Sequence, residues 1–113
     1  KSLLVDANLS NTILTGADMT NVVLPEAKLT NANLEDAILE NANLIDANLD
    51  SANLTNANLR KSLLVDANLS NTILTGADLS NAVLSGAILT GANLENAILT
   101  AAILNCVGHP ICV

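Results

Sequence analysis

Leucine returns at every fifth residue from Leu4 to Leu104, in unbroken register, with Met19 the one replacement. Of these 21 rungs, 20 are Leu. Two residues before each rung stands a small residue, Ala in 16 units and Ser2, Thr12, Val22, Ser62 or Thr72 in the rest. A step of five turns an α-helix through about 500°, so the leucines would wind around the cylinder and leave no face to bury. In a strand five is odd, and successive leucines would fall on opposite faces of the sheet. A strict period of five is met by a chain that turns a corner in every repeat and keeps Leu and the small residue inside. Such a chain is a solenoid whose coils contact their neighbours in sequence.

The small residue then has a cause. A short repeat encloses a narrow bore, and Leu at one inward position leaves room only for Ala, Ser or Thr at the other, because interiors pack to near-crystalline density. The same bore accounts for the absence of Phe, Tyr and Trp.

The tandem unit, plainest in Ala42-Asn43-Leu44-Ile45-Asp46 and Ala47-Asn48-Leu49-Asp50-Ser51, resembles the pentapeptide-repeat proteins over residues 2 to 106. The resemblance implies an all-β fold, a right-handed quadrilateral β-helix in which four pentapeptides make a coil of 20 residues. This chain would then hold about five coils in a rod about 25 Å long. The expected division is residues 1–105 for the solenoid and 106–113 for a C-terminal cap or its start. The register breaks after Asn105: at 109, where the next rung would fall, stands His109 between Gly108 and Pro110, and this marks the end of the solenoid.

Residues 1–18 recur unchanged as 61–78, an offset of 60 or three whole coils. The chain starts at Lys1, in the last place of a repeat, and reads as a fragment or processed product. Gly16, Gly76, Gly86 and Gly91 all take that last place, where an unusual turn conformation is expected. Pro25 follows a rung and is tolerated if its missing N–H lies outside the ladder. The many Asn residues before Leu are expected to stack as amide ladders from coil to coil.

Half the residues are apolar, yet the longest apolar run is four residues, Ala101 to Leu104, far short of the ~20 of a membrane helix. The net charge of -7, with four Lys or Arg, disfavours direct nucleic-acid binding. Phosphate loops, Ser/His/Asp sets and a second His are all missing, so no enzyme, no cofactor and no catalytic residue is expected. Cys106, His109 and Cys112 stand close in sequence. They read as a disulfide closing a cap loop, as two free cysteines, or, with less support from their spacing, as a metal or nucleophilic site. A bonded pair points to an oxidising compartment, a thylakoid lumen or periplasm, and a free pair to the cytoplasm.

Folding the sequence on 20 places Asp6, Glu26, Asp46 and Asp66 in one stack. Like charges about 5 Å apart repel unless water, a cation or a partner intervenes. Beside them fall Val5, Pro25, Ile45 and Val65, and on the same side Leu3, Val23, Leu63, Val83 and Ile103. The matching places of another face are Ser10, Thr30, Asp50, Ser70 and Thr90. An apolar strip with a charged rim has the make-up of an interaction surface. The leading expectation is therefore a scaffold that binds a protein partner, or itself, through this face. The alternative, implied by the resemblance, is an acidic rod that mimics duplex DNA and binds DNA gyrase. That subgroup often carries Phe at the rung, and this chain has none.

Overall fold

The computed structural model describes residues 4–113, and among them forms turns and isolated parallel bridges, with no helix. Each unit ends in a four-residue turn that begins at the rung. The rung carbonyl accepts a hydrogen bond from the N–H three residues on, as between Leu29 and Ala32 (3.0 Å) or Leu54 and Ala57 (3.0 Å). The third residue of every such turn has positive φ, from Asp6 (56°) through to Ala101 (59°), the hallmark of a type II turn. The four glycines singled out above stand in this place, but Asn and Asp fill most of the others. Their short polar side chains tolerate the left-handed conformation better than other residues with a Cβ.

Parallel bridges join Asn8 to Lys28, Asn33 to Asn53, and so on to Val83 with Ile103, each pair 20 residues apart. Four turns separate the members of each pair. The molecule measures 31 × 21 × 21 Å, one long dimension and two equal ones. Along the middle of the chain the inward pair is sealed: every rung from Leu24 to Leu89 is 0 or 1% exposed. Ser62 and Thr72 are tolerated inside because each hydroxyl donates to the carbonyl of the rung before it, Leu59 or Leu69, at 2.7 Å. The end coils are less sealed. Leu4 is 45% exposed, and Leu9, Leu14 and Met19 are part-buried, as are Leu94, Leu99 and Leu104.

An account of the backbone N–H groups explains the rest of the repeat. In the unit Ala27-Lys28-Leu29-Thr30-Asn31, Ala27 donates to its turn, Lys28 to the preceding coil (Ala7), and Leu29 and Asn31 to the following one (Asn48 and Asp50). The amide just after the rung is left over. Where Asn or Asp precedes the rung, its Oδ1 accepts from that amide: Ile45 donates to Asn43 (3.1 Å), Thr55 to Asn53 (3.0 Å) and Ser80 to Asp78 (2.9 Å). These Asn side chains therefore brace their own corners instead of forming the expected amide ladders between coils. The local acceptor is two residues away and satisfies a donor that no neighbouring coil reaches. Pro25 fits the same account: it occupies the place after the rung, whose N–H the coil does not use.

At the C-terminal end one residue is dropped. Ile88 bridges Val107, a separation of 19, so the corner after Leu104 is shorter than the others. Cys106 takes the inward place that Ala87 holds in the preceding coil and is buried. The register thus changes before His109, and the bridging continues to Val107. Beyond it the chain turns at Gly108, and Val113 donates its N–H to Leu104 (2.8 Å). Ile111 and Cys112 pack on the core, and Cys112 is joined to Cys106.

Candidate interaction face

The coil register brings the expected residues together, with one addition. Val23, Asn43, Leu63, Val83 and Ile103 are bridged in succession and form one outward column. Asn43 interrupts the apolar strip, at the place the same series of 20 assigns to it. Asn43 also ties the column to the adjoining corner, because its Oδ1 holds the Ile45 N–H. At that corner the N–H groups of Asp6, Glu26, Asp46 and Asp66 donate to Pro25, Ile45, Val65 and Ser85 at 2.9–3.2 Å. This bonding sets Val5, Pro25, Ile45 and Val65 in one row and the carboxylates in the next. Leu3 lies outside the described residues.

Val5 is 51% and Leu63 38% exposed, whereas Val23, Pro25, Ile45, Val65 and Val83 are half-buried. Apolar side chains also face outward elsewhere. Ile13, at 81%, Ile73, Ile38, Ile98, Ile88 and Val107 all lie off this corner, on the other faces. What sets the candidate face apart is the combination of an apolar column with an apolar corner. A groove of about 410 Å³ runs along its other margin, lined by Asn21, Val23, Asn41, Asn43 and Leu63. The face thus has carboxylates along one edge and, along the other, the row of Asn21, Asn41, Lys61 and Asn81.

The carboxylate row is electrostatically loaded at its start. A hydrogen bond with the Asp6 side chain, the Asp6 charge, desolvation and then the Asp46 charge hold Glu26 above its ordinary value. The row ends at Gly86, where a Cβ would run into Oδ1 of Asp66 and the φ of 72° already favours glycine. Elsewhere carboxylates are held below their ordinary values. Asp18 accepts from the hydroxyl and amide of Thr20, and Asp78 is lowered chiefly by the Ser80 hydroxyl. The two cases have opposite linkage. Folded Glu26 binds its proton more readily than unfolded Glu, so its effect turns against folding as pH rises through the carboxylate range. The contributions of Asp18 and Asp78 are present at neutral pH and lost as pH falls through their lowered values. Glu26→Gln is therefore expected to raise the melting temperature at pH 7, with the gain shrinking to nothing as the pH is brought below the carboxylate range. Thermal melts across that range check it.

Among the described residues no group of three or more His, Cys, Asp or Glu side chains is placed to hold a metal ion. With their sulfurs joined, Cys106 and Cys112 offer no thiolate to a metal or to a substrate. No helix is long and apolar enough to cross a membrane among the described residues.

A solenoid of five-residue units closing on a 20-residue register, with Leu and Ala inward, defines a class that comparison makes specific. The family model for pentapeptide repeats (8 copies) matches residues 2–41, 27–64 and 62–100. The chain belongs to the pentapeptide-repeat family, whose known folds are right-handed β-helices. Among solved structures it is similar to the pentapeptide repeat protein Rfr23 from the cyanobacterium Cyanothece 51142, with 35% identity and a TM-score of 0.81 over 93% of this chain and 90% of that one. It is also similar to HetL from Nostoc sp. strain PCC 7120, a pentapeptide repeat protein involved in heterocyst differentiation regulation (31% identity, TM-score 0.69, 95% of this chain). This chain spans 55% of the length of HetL. A pentapeptide repeat protein of the Arabidopsis thaliana thylakoid lumen matches at 26% identity and a TM-score of 0.69, over 84% of this chain and 70% of that one. No curated protein matches the sequence.

Proposed function

We propose that the chain is a non-enzymatic scaffold that binds a protein partner through the face of Val5, Val23, Ile45, Leu63, Val65 and Val83. Its carboxylate edge, Asp6, Glu26, Asp46 and Asp66, would meet basic groups on that partner. The reading rests on one observation: this is where an apolar outward column and an apolar corner lie side by side, bordered by a row of like charges. A basic partner relieves the repulsion among the stacked carboxylates, and an apolar one covers the strip between. We take the rod to be a right-handed quadrilateral coil of about five circuits, stiff enough to present this face without rearrangement. The Cys106–Cys112 bond and the likeness to a thylakoid-lumen protein support an oxidising compartment, a lumen or a periplasm.

The test compares the parent with an Ile45→Ser/Val65→Ser double variant as bait in a lysate of the source cells. Both residues are half-buried at the corner and lie outside the sealed bore, so the variant is expected to melt close to the parent. Loss of a specifically held protein by the variant, by about tenfold or more in affinity, is expected from removing two apolar contacts. Equal retention by both baits would overturn the assignment to this face. If the protein held equally is DNA gyrase, the acidic-rod reading replaces it.

A further inference from the structure

We infer that the partner of this face is a second copy of the same chain, a reading that rests on the face proposed above. The two rods lie parallel, related by a two-fold axis that runs along them between the facing columns. Such a dimer is isologous, so each edge of the face on one copy meets the opposite edge on the other. The carboxylate row of one copy therefore faces the row of Asn21, Asn41, Lys61 and Asn81 of its partner. Glu26, Asp46 and Asp66 stand five places after Asn21, Asn41 and Lys61, in the same coils. Across the axis, Lys61 of one copy is then level with Asp66 of the other, Asn41 with Asp46 and Asn21 with Glu26. An ammonium and two amides meet three stacked carboxylates, and the symmetry makes each contact twice. A two-fold axis across the rods would run them antiparallel and lay acid on acid, which like-charge repulsion opposes.

Asn43 fixes the register. The axis sets each residue of the central column against its own counterpart, so Val23, Leu63, Val83 and Ile103 pair apolar with apolar. Asn43 meets Asn43. Its Oδ1 holds the Ile45 N–H at 3.1 Å and keeps a second lone pair, while among the described residues its Nδ2 meets no hydrogen-bond partner. Two such side chains across the axis exchange Nδ2–H to Oδ1 bonds. Sliding one copy by a coil would set Asn43 against Val23 or Leu63 and bury its amide unpaired, the way a lone Asn in an apolar seam specifies pairing. The face is also large enough. One side of the molecule measures 31 by 21 Å, about 650 Å² on each copy and about 1,300 Å² for the pair, within the range of specific interfaces.

Sedimentation equilibrium of the full chain tests this. The 11.6 kDa chain is expected to reach twice its mass with a Kd of about 10 µM or below. Lys61→Glu should raise that Kd by about 100-fold, because it sets a carboxylate against each carboxylate row. Lys61→Glu combined with Asp66→Lys exchanges the charges across the axis and should restore the Kd of the parent. Both residues are exposed, so both variants are expected to melt close to the parent. A parent that stays at 11.6 kDa at about 1 mM would overturn the inference, and so would a dimer indifferent to Lys61→Glu or one that the double variant fails to restore. The Ile45→Ser/Val65→Ser variant separates this failure from that of the face. A monomeric parent that holds a lysate protein lost by that variant overturns the second copy and keeps the face, whereas dimerisation unchanged in that variant overturns both.

Discussion

Leu54→Lys is expected to abolish the cooperative folding of the rod. Leu54 is 0% exposed at the centre of the ladder, with Leu34 and Leu74 one coil away on either side and equally buried. Truncating such a residue to Ala costs about 2–5 kcal/mol. Lysine adds an ammonium that finds no carboxylate in a bore lined by Leu, Ala and a few hydroxyls already bonded to rung carbonyls. Each coil is held by its neighbours, so failure at the middle removes support from both halves. Far-UV circular dichroism and a thermal melt measure the effect. A folded spectrum with an unchanged midpoint would contradict the burial described here.

Removing the terminal cross-link should have the next largest effect. Cys106→Ser with Cys112→Ser frees a loop of six residues' separation, and loop-closure entropy puts the loss at about 2 kcal/mol. The loss should concentrate at the C-terminal end, where Leu94, Leu99 and Leu104 are part-buried and Cys106, Ile111 and Cys112 pack with the core. Reductant should lower the melting temperature of the parent and leave that of the double variant alone. Protein purified without reductant should give no thiol titre. Two titratable thiols, or a melt indifferent to reductant, would remove the cap from this account.

The difference between what was legible in the sequence and what was not follows from the range of the interactions. The inward pair, Ala or a small residue with Leu, is set by a period, and a period shows in sequence; each rung from Leu24 to Leu89 is buried as the spacing requires. The coil of 20 came from the family resemblance, supported by the duplication at 60, and the bridges fall at that separation. The role of the asparagines was not legible, because a ladder between coils and a brace within a corner need the same residue at the same place. Only the count of backbone amides separates them: the amide after the rung has no acceptor in a neighbouring coil, and Oδ1 of Asn or Asp supplies one. The slip at the C-terminus was legible in part. The register breaks after Asn105 in the sequence, with His109 where the next rung would fall, but the one-residue shortening that brings Cys106 into the bore shows only in the bridges. At the candidate face the members were legible by folding on 20, whereas the interruption by Asn43 and the groove beside it emerge from the stacked columns.

The register of 20 carries everything above: the sealed bore, the carboxylate row and the apolar corner. It is tested most directly by solution NMR, through cross-coil proton contacts between residues of different type. The account predicts short-range contacts of Val23 with Asn43, Asn43 with Leu63, and Lys28 with both Asn8 and Asn48. Contacts at a separation of 15 or 25 in their place would contradict it, and would disperse the candidate face around the rod.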